Sequence, residues 1–327
     1  MSLREQVATQ MIERFRVWNG LSVALLITSL SQAATYPAEI AIPGEKIFPE
    51  SLTTSSDSSI IIGSIGARTI WRAKRGSDTA KVWIRPDTDD MQSIFGVFAD
   101  PKTNILWACS NASGPPGSVP AASALYRFDL KTGTPLGHYL MPTPGALCND
   151  IAVDEQGNVY ATDSLNMQVV RLARLGAALE VWAGDDGAFG AKGAVVDGIA
   201  VLGDRVVVNT LTTGKLFNVP IQKDGKAGAV TEITLDRTIE RPDGMRSFGE
   251  NGLLLVESGS VGRLLKVSLS EKSGKVTVVK EGFPGGPVAV TVTGTTAYVL
   301  EGQLAARRDP SIALKPFKAT AVPVGKP

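Results

Sequence analysis

The sequence has few of the residues on which several common functions depend. Its single histidine, His138, argues against a Ser-His-Asp triad and against a paired-histidine mechanism. Basic residues number 33 and acidic residues 32, so the net charge is +1 and no basic field is available for nucleic acid or an anionic membrane. No segment has a helical pattern, and no glycine-rich loop precedes a helix as a phosphate-binding motif requires. These absences leave a globular chain whose chemistry depends on acids, amides and hydroxyls.

Residues 1–33 have the composition of a signal peptide. Two arginines precede the apolar run at 21–27, and small residues lead up to a predicted cleavage site after Ala33. The run is shorter than the roughly 20 apolar residues of a membrane span, although an uncleaved anchor is the alternative. We therefore expect one domain over 34–327, exported to the periplasm or the extracellular space and free of the membrane after cleavage.

The sequence contains only two cysteines, Cys109 and Cys148. Both fall at predicted strand ends near the same face of the domain, so a disulfide between them is one of two alternatives in an oxidising compartment. The other is that both are small buried residues without a bond.

A strand–turn–strand unit recurs along the chain, most clearly at 147–163. Successive copies are 45 to 54 residues apart, and each is followed by two further strand patterns. This spacing with four strands per unit is typical of a β-propeller. We predict an all-β, six-bladed β-propeller with four antiparallel strands per blade, in which a segment before residue 47 adds an outer strand to the last blade. The first-strand positions that align are Glu50, Phe95, Asn149, Asp197, Asp243 and Val288.

Equivalent positions of the first strands should line one mouth of the central channel. Glu50, Asn149, Asp197 and Asp243 are therefore expected to converge, with Phe95 beside them in the substrate pocket. The second strands end in another polar set, from which Asn209 and Glu301 are predicted to line the same pocket.

Several carboxylates aimed at one point require protons or a cation. Because all the donors are oxygens, the set favours a hard cation, with Ca²⁺ first and Mg²⁺, Mn²⁺, Fe²⁺ or Zn²⁺ as alternatives. Three or four protein ligands would leave coordination positions for water and substrate. Asp197 or Asp243 would then be the catalytic base. A glycosidase that uses two of these carboxylates is a further alternative.

These residues resemble the senescence marker protein and gluconolactonase-like family of six-bladed propellers. The resemblance implies that Glu50, Asn149 and Asp197 bind one divalent cation and that Asp197 is also the catalytic base. It implies a lactone as substrate. The chain departs from the family in the second blade, where Ser93 and Phe95 replace the polar residues that contact sugar lactones. We therefore expect a less hydroxylated substrate.

Two loops are predicted to border the pocket. The insertion at 111–123, rich in Gly, Pro and Ser, is expected to act as a lid or wall, with a tolerated surface insertion as the alternative. The glycine-rich loop at 184–190 is expected to contribute to the pocket floor.

Two functional hypotheses follow. The first is a secreted, metal-dependent hydrolase of a lactone or related ester that acts on a small molecule. The second is a non-catalytic propeller that binds a small molecule or a protein on the same face, with a structural cation.

Overall fold

The structure is a computed structural model, and it describes residues 36–86, 88–112, 122–184, 187–191 and 193–326. The predicted signal peptide and most of the predicted lid lie outside these residues. Residues 36–326 belong to one compact unit. The described elements include a 3₁₀ turn at Thr88–Asp90, a short helix α1 (Leu304–Arg308), and the strands β1 (Glu39–Ile42), β2 (Pro49–Thr54), β3 (Ile60–Ser64), β4 (Ile70–Ala73), β5 (Lys81–Ile84), β6 (Ser93–Asp100), β7 (Ile105–Asn111), β8 (Ala124–Asp129), β9 (Pro135–Leu140), β10 (Cys148–Val153), β11 (Val159–Asp163), β12 (Gln168–Leu172), β13 (Glu180–Ala183), β14 (Val196–Leu202), β15 (Arg205–Thr210), β16 (Lys215–Pro220), β17 (Thr231–Leu235), β18 (Pro242–Ser247), β19 (Gly252–Glu257), β20 (Arg263–Leu269), β21 (Ser273–Glu281), β22 (Pro287–Thr293), β23 (Thr296–Glu301) and β24 (Phe317–Pro323).

The strands form consecutive antiparallel meanders. Three sheets have the orders β2–β3–β4–β5, β6–β7–β8–β9 and β10–β11–β12–β13, and a fourth joins β22–β23–β24 to β1. The remaining sheet has eight strands, because β17 pairs in parallel with β21 and so joins the meander β14–β17 to the meander β18–β21. The pairing of β1 with β24 covers the outer edge of the last meander with an N-terminal strand, as the sequence predicted.

The first strands of the meanders pack in a closed circle. Each contacts the next in chain order, from β2 through β6, β10, β14 and β18 to β22, and β22 contacts β2 again. The predicted propeller with four-stranded antiparallel blades is therefore confirmed.

The hydrophobic core is divided into clusters between neighbouring meanders. Ile61 on β3 packs in one cluster with Phe128 on β8, and Tyr160 on β11 packs in another with Phe217 on β16. Strands that are apolar on both faces, such as β3 and β11, supply these clusters because each sheet is covered on both sides. The core therefore surrounds the channel and holds the inner strands in place. No helix within the described ranges is long and apolar enough to cross a membrane.

Candidate functional site

Irregularities in the inner strands set the direction of the predicted ring residues. Each first strand has a register shift at the aligned position, for example between Pro49 and Ser51 in β2 and between Val196 and Ile199 in β14. The other inner strands are shifted at the corresponding place. A bulge inserts an extra residue and redirects its side chain. The repeated bulge therefore turns six successive ring positions toward the same end of the channel.

Glycine follows several ring residues because the neighbouring inner strand approaches closely there. A Cβ added to Gly198, next to Asp197, would lie 2.5 Å from the carbonyl oxygen of Asp243. A Cβ added to Gly96 would lie 2.2 Å from the carbonyl oxygen of Asn149. The Asp-Gly and Phe-Gly pairs in the sequence are thus explained by packing between inner strands.

The ring residues line one cavity of about 700 Å³. Its lining includes all six aligned positions, Glu50, Phe95, Asn149, Asp197, Asp243 and Val288. A volume of this size suits a small organic ligand. The structure thus brings together the four predicted polar residues and Phe95.

The acids of this ring are buried and only partly compensated, and we call Glu50, Asp197 and Asp243 the acid cluster. Burial, followed by the charges of Asp243 and Asp197, raises the pKa of Glu50 well above its usual value. Burial and the charge of Asp243 likewise raise the pKa of Asp197. Burial raises the pKa of Asp243 to about 7, although the Gly244 N–H donates a hydrogen bond to its Oδ1. The cluster is therefore under electrostatic strain that protons or a cation would relieve.

Asn149 presents a buried oxygen without a partner. Its Nδ2 donates a hydrogen bond to Ser164 Oγ at 2.9 Å, and Ser164 Oγ in turn donates to the carbonyl oxygen of Val196. Asn149 is 5% exposed, and its Oδ1 has no hydrogen-bond donor among the described residues. A buried acceptor without a donor is costly, and a cation would satisfy it.

The donor set fits a hard divalent cation. A second cavity of about 10 Å³, the size of a single water, is lined by Glu50, Asn149, Asp197 and Asp243 together with Asp150. No three Asp, Glu, His or Cys side chains in the described part of the chain already form a metal-binding group. Cation binding would therefore need the Asn149 oxygen as a ligand or a small shift of the carboxylates.

A buried ion pair, which the sequence reasoning missed, lies beside the acid cluster. Arg246 Nη1 donates to both carboxylate oxygens of Asp150, at 3.0 and 2.9 Å. The same guanidinium donates to the carbonyl oxygens of Leu52, Val97 and Met245, so one side chain connects β2, β6 and β18 with β10. Asp150 also accepts the N–H of Ile199 on β14. The only sequence signals were the acid next to Asn149 and an arginine within an inner strand.

Arg241 is a second residue that the sequence reasoning missed. It lines the cavity immediately before Pro242 and Asp243, and its charge offsets part of the rise in the pKa values of Asp197 and Asp243. Its backbone has φ of 54°, in the left-handed region that is unfavourable for arginine. This conformation has no signature in the local sequence.

The predicted pocket residues Asn209 and Glu301 do not line the cavity. Asn209 accepts the N–H of Gly198 and donates to the carbonyl oxygen of Asp243, so it stabilises two inner strands from behind the ring. Glu301 accepts the N–H of Gly285, a cavity residue. Both side chains hydrogen-bond to the backbone near the inner strands and do not face the cavity, because the ends of the second strands lie outside the circle of inner strands.

Cys109 and Cys148 form a disulfide with Cα atoms 5.2 Å apart. The bond connects the end of β7 with the start of β10 and is completely buried. It therefore fixes the backbone directly before Asn149.

The remaining predictions concern residues away from this cavity. His138 lies on β9, stacks on Tyr126 and faces Asp89 at 3.7 Å. In the loop 184–190, the described residues do not line the cavity, and Phe189 packs against Phe217 in the core. The central part of the predicted lid, 113–121, lies outside the described residues.

No protein-family model matches the sequence, and no curated protein sequence matches it. Solved structures are nevertheless similar to it in fold. A putative gluconolactonase has a TM-score of 0.61 at 13% identity, with 89% of this chain and 94% of that chain covered. The gluconolactonase XC5397 from Xanthomonas campestris has a TM-score of 0.58 at 13% identity, with 85% and 86% covered.

The same fold also occurs in structures whose names indicate other activities. A catalytically inactive virginiamycin B lyase from Staphylococcus aureus, solved with quinupristin, has a TM-score of 0.58 at 17% identity and 80% coverage of each chain. At these identities the likeness establishes the propeller fold and leaves the reaction to be argued from the site.

Proposed function

We propose that this protein is a secreted hydrolase of a lactone or related ester that depends on one divalent cation, most simply Ca²⁺. The observation that carries the proposal is the unpartnered Asn149 Oδ1 among three buried carboxylates at the floor of a cavity of about 700 Å³. The gluconolactonases among the structures of similar fold support the same class of reaction.

The proposal includes six blades. The eight-stranded sheet counts as two blades because its two halves, β14–β17 and β18–β21, are each an antiparallel meander. Among the described residues, backbone strand pairing between the two halves is confined to the short parallel pairing of β17 with β21 at the outer edge. Six inner strands in a closed circle support the same count.

Glu50, Asn149 and Asp197 would hold the cation, and Asp243 is the additional carboxylate beside them. A bound cation would polarise the substrate carbonyl and lower the pKa of a water molecule next to it. The protein supplies the orientation of the ligands, since Ser164 fixes the Asn149 amide and the disulfide fixes the preceding backbone.

Asp243 is suited to be the general base. It lines the cavity beside the three proposed cation ligands, and a cation bound there would favour its deprotonated form, which a general base requires. In hydrolysis it would take a proton from the attacking water and return one to the leaving alkoxide as the acyl–oxygen bond breaks. Asp197, beside it, is the second candidate for this role.

Export to the periplasm or the extracellular space is part of the proposal. It is supported by the leader composition at 1–33 and by the buried Cys109–Cys148 pair.

The experiment is a lactone and aryl-ester panel assayed for acid release, with the purified protein, with chelator, and with Ca²⁺ or Mn²⁺ restored. We expect chelator to abolish turnover and a cation to restore it. Glu50→Gln and Asp197→Asn should each reduce kcat/KM at least about a hundredfold, since each removes a cation ligand.

The matched control is Asp154→Asn, which alters a buried acid of the β10–β11 turn that does not line the cavity. It should retain activity. Turnover that survives both Glu50→Gln and Asp197→Asn would overturn the proposed mechanism. Cation-dependent binding of lactones without turnover would instead favour the non-catalytic alternative.

A further inference from the structure

The cavity has opposite charges at its floor and at its mouth. The acid cluster occupies the floor, whereas Arg241, Arg308 and Lys315 line the cavity from exposed positions. Among the described residues, none of these three basic side chains donates a hydrogen bond or forms an ion pair within 4.0 Å. These three basic side chains therefore have no hydrogen-bonded partner among the described residues, and a ligand could supply one; the Arg241 charge also acts on Asp197 and Asp243.

Arg241 is held in an unfavourable backbone conformation. Its φ of 54° lies in the left-handed region, which is unfavourable for a residue with a side chain. The conformation is stabilised by Ser258, whose N–H and hydroxyl both donate to the Arg241 carbonyl oxygen, at 3.0 and 3.1 Å. Of the non-glycine residues with positive φ, Arg241 and Gln303 line the cavity.

Between floor and mouth the cavity wall is largely apolar. Phe95, Leu147, Leu165, Leu211, Val261 and Phe283 belong to it. Hydroxyl and amide groups are few in this lining, where Ser164, Ser258, Ser260 and Gln303 are the examples. A sugar lactone would leave most of its hydroxyl groups without partners against such a wall.

We propose that the substrate is an anionic, weakly hydroxylated ester or lactone, in which an apolar chain contacts the wall and a carboxylate is bound by Arg241. Arg308 and Lys315 add positive charge at the mouth. This specificity rests on the proposed hydrolase function, because it assumes that the scissile carbonyl reaches the floor while the carboxylate stays above it.

Binding without turnover tests the anion site directly. The probes are octanoate and its neutral analogue octanamide, titrated by calorimetry into chelator-treated protein at low and at high ionic strength. We expect octanoate to bind about tenfold more tightly, and this preference to shrink with salt. Arg241→Gln should reduce the preference to within about twofold.

Arg307→Gln is the matched control. Arg307 is adjacent to Arg308 on α1 and is exposed, but it does not line the cavity, so its replacement should leave both affinities unchanged. Equal affinity for the two probes in the unmodified protein would overturn the proposal, as would a preference that persists in Arg241→Gln. So would a preference that appears only when a cation is restored, since the carboxylate would then bind the cation instead.

A pair of chromogenic esters separates this inference from the proposed function. Mono-4-nitrophenyl glutarate carries a carboxylate, and 4-nitrophenyl pentanoate is its neutral counterpart. We expect kcat/KM to favour the glutarate ester, and Arg241→Gln to lower kcat/KM for that ester alone. If neither ester is hydrolysed while octanoate is still preferred through Arg241, the hydrolase fails and the anion site stands. If both are hydrolysed equally, the anion site fails and the hydrolase stands.

Discussion

Asp150 and the acid cluster are buried side by side in the channel, but their interaction partners differ. Asp150 is neutralised by Arg246 and receives two backbone N–H groups as well, those of Ile151 and Ile199. The carboxylates of the acid cluster have fewer hydrogen-bond donors and no ion pair within 4.0 Å among the described residues. Among the described residues, no hydrogen-bond donor to the Glu50 carboxylate is seen. Asp243 accepts the N–H of Gly244 and is stabilised by the Ser258 side chain, and Asp197 is stabilised by the Asn149 side chain.

The difference shows that a buried carboxylate in this channel can be neutralised by an arginine, as Asp150 is by Arg246. A guanidinium that reaches carbonyl groups of three strands already stands next to the cluster, yet it pairs with Asp150 alone among the acids. Arg246 and Arg241 act on the cluster only through their charges, and under the proposed function a bound cation would supply the missing compensation.

The largest expected effect comes from breaking the compensated pair. Arg246→Met should destabilise the protein by about 3–5 kcal/mol, because it leaves Asp150 buried and removes donors from three strand carbonyls. Urea unfolding at pH 7 measures the change. The double variant Arg246→Met/Asp150→Asn should be more stable than Arg246→Met, and strict additivity of the two single changes would contradict the pairing.

The next effect concerns pH and separates the two groups. The pKa values of the acid cluster are raised in the folded state, so these acids favour folding below their unfolded pKa values, near 4. That contribution is lost as the pH rises through the folded values, about 7 for Asp243. In chelator, Tm should fall by roughly 5 °C or more between pH 5 and pH 8.

Saturating Ca²⁺ should remove much of this fall, because the cation replaces the protons. Differential scanning calorimetry in paired buffers provides the measurement. A Tm that is independent of pH in chelator would contradict the raised pKa values of the acid cluster.

Part of this arrangement was predictable from the sequence. The period of 45 to 54 residues and the alternation of strands and turns gave the propeller, and alignment on the second strands placed Glu50, Phe95, Asn149, Asp197 and Asp243 at equivalent positions that share one cavity. Repetition makes this inference possible because every unit repeats the same local geometry.

What could not be predicted depends on contacts between units. Arg246 and Asp150 are 96 residues apart, and nothing local marks them as a pair. Asn209 and Glu301 occupy equivalent places at strand ends, but whether such a side chain faces the cavity or supports a neighbouring strand depends on packing between meanders. A contact within one meander is equally hard to predict: the left-handed backbone of Arg241, directly before β18, is held by Ser258, directly after β19.

A smaller effect, of opposite sign, is expected at the acid cluster. Asp197→Asn should stabilise the cation-free protein by about 1–2 kcal/mol at pH 8, since it removes one of several like charges. Asp150→Asn should destabilise it under the same conditions because Arg246 loses its partner. Thermal unfolding in chelator measures the stability of both variants. If both substitutions change the stability in the same direction, the proposed difference between Asp150 and the acid cluster is wrong.

The smallest effect concerns the orientation of the amide ligand. Ser164→Ala should cost about 1 kcal/mol, since it removes the hydrogen bond to Asn149 Nδ2, and should weaken cation affinity roughly tenfold. Ser123→Ala is the control, because that hydroxyl binds the carbonyl oxygen of Ala146 outside the cavity lining. If the two variants bind the cation equally well, Ser164 does not position the ligand.

Direct titration of the cation tests the central claim. Ca²⁺, and then Mn²⁺ and Mg²⁺, would be titrated by calorimetry into chelator-treated protein at pH 7.5, with Asp197→Asn and Asp154→Asn as the matched pair of variants. We predict one bound cation per chain in the unmodified protein and in Asp154→Asn, with the heat of binding lost in Asp197→Asn. Absence of binding for every cation tested, or binding that Asp197→Asn leaves unchanged, would contradict the account.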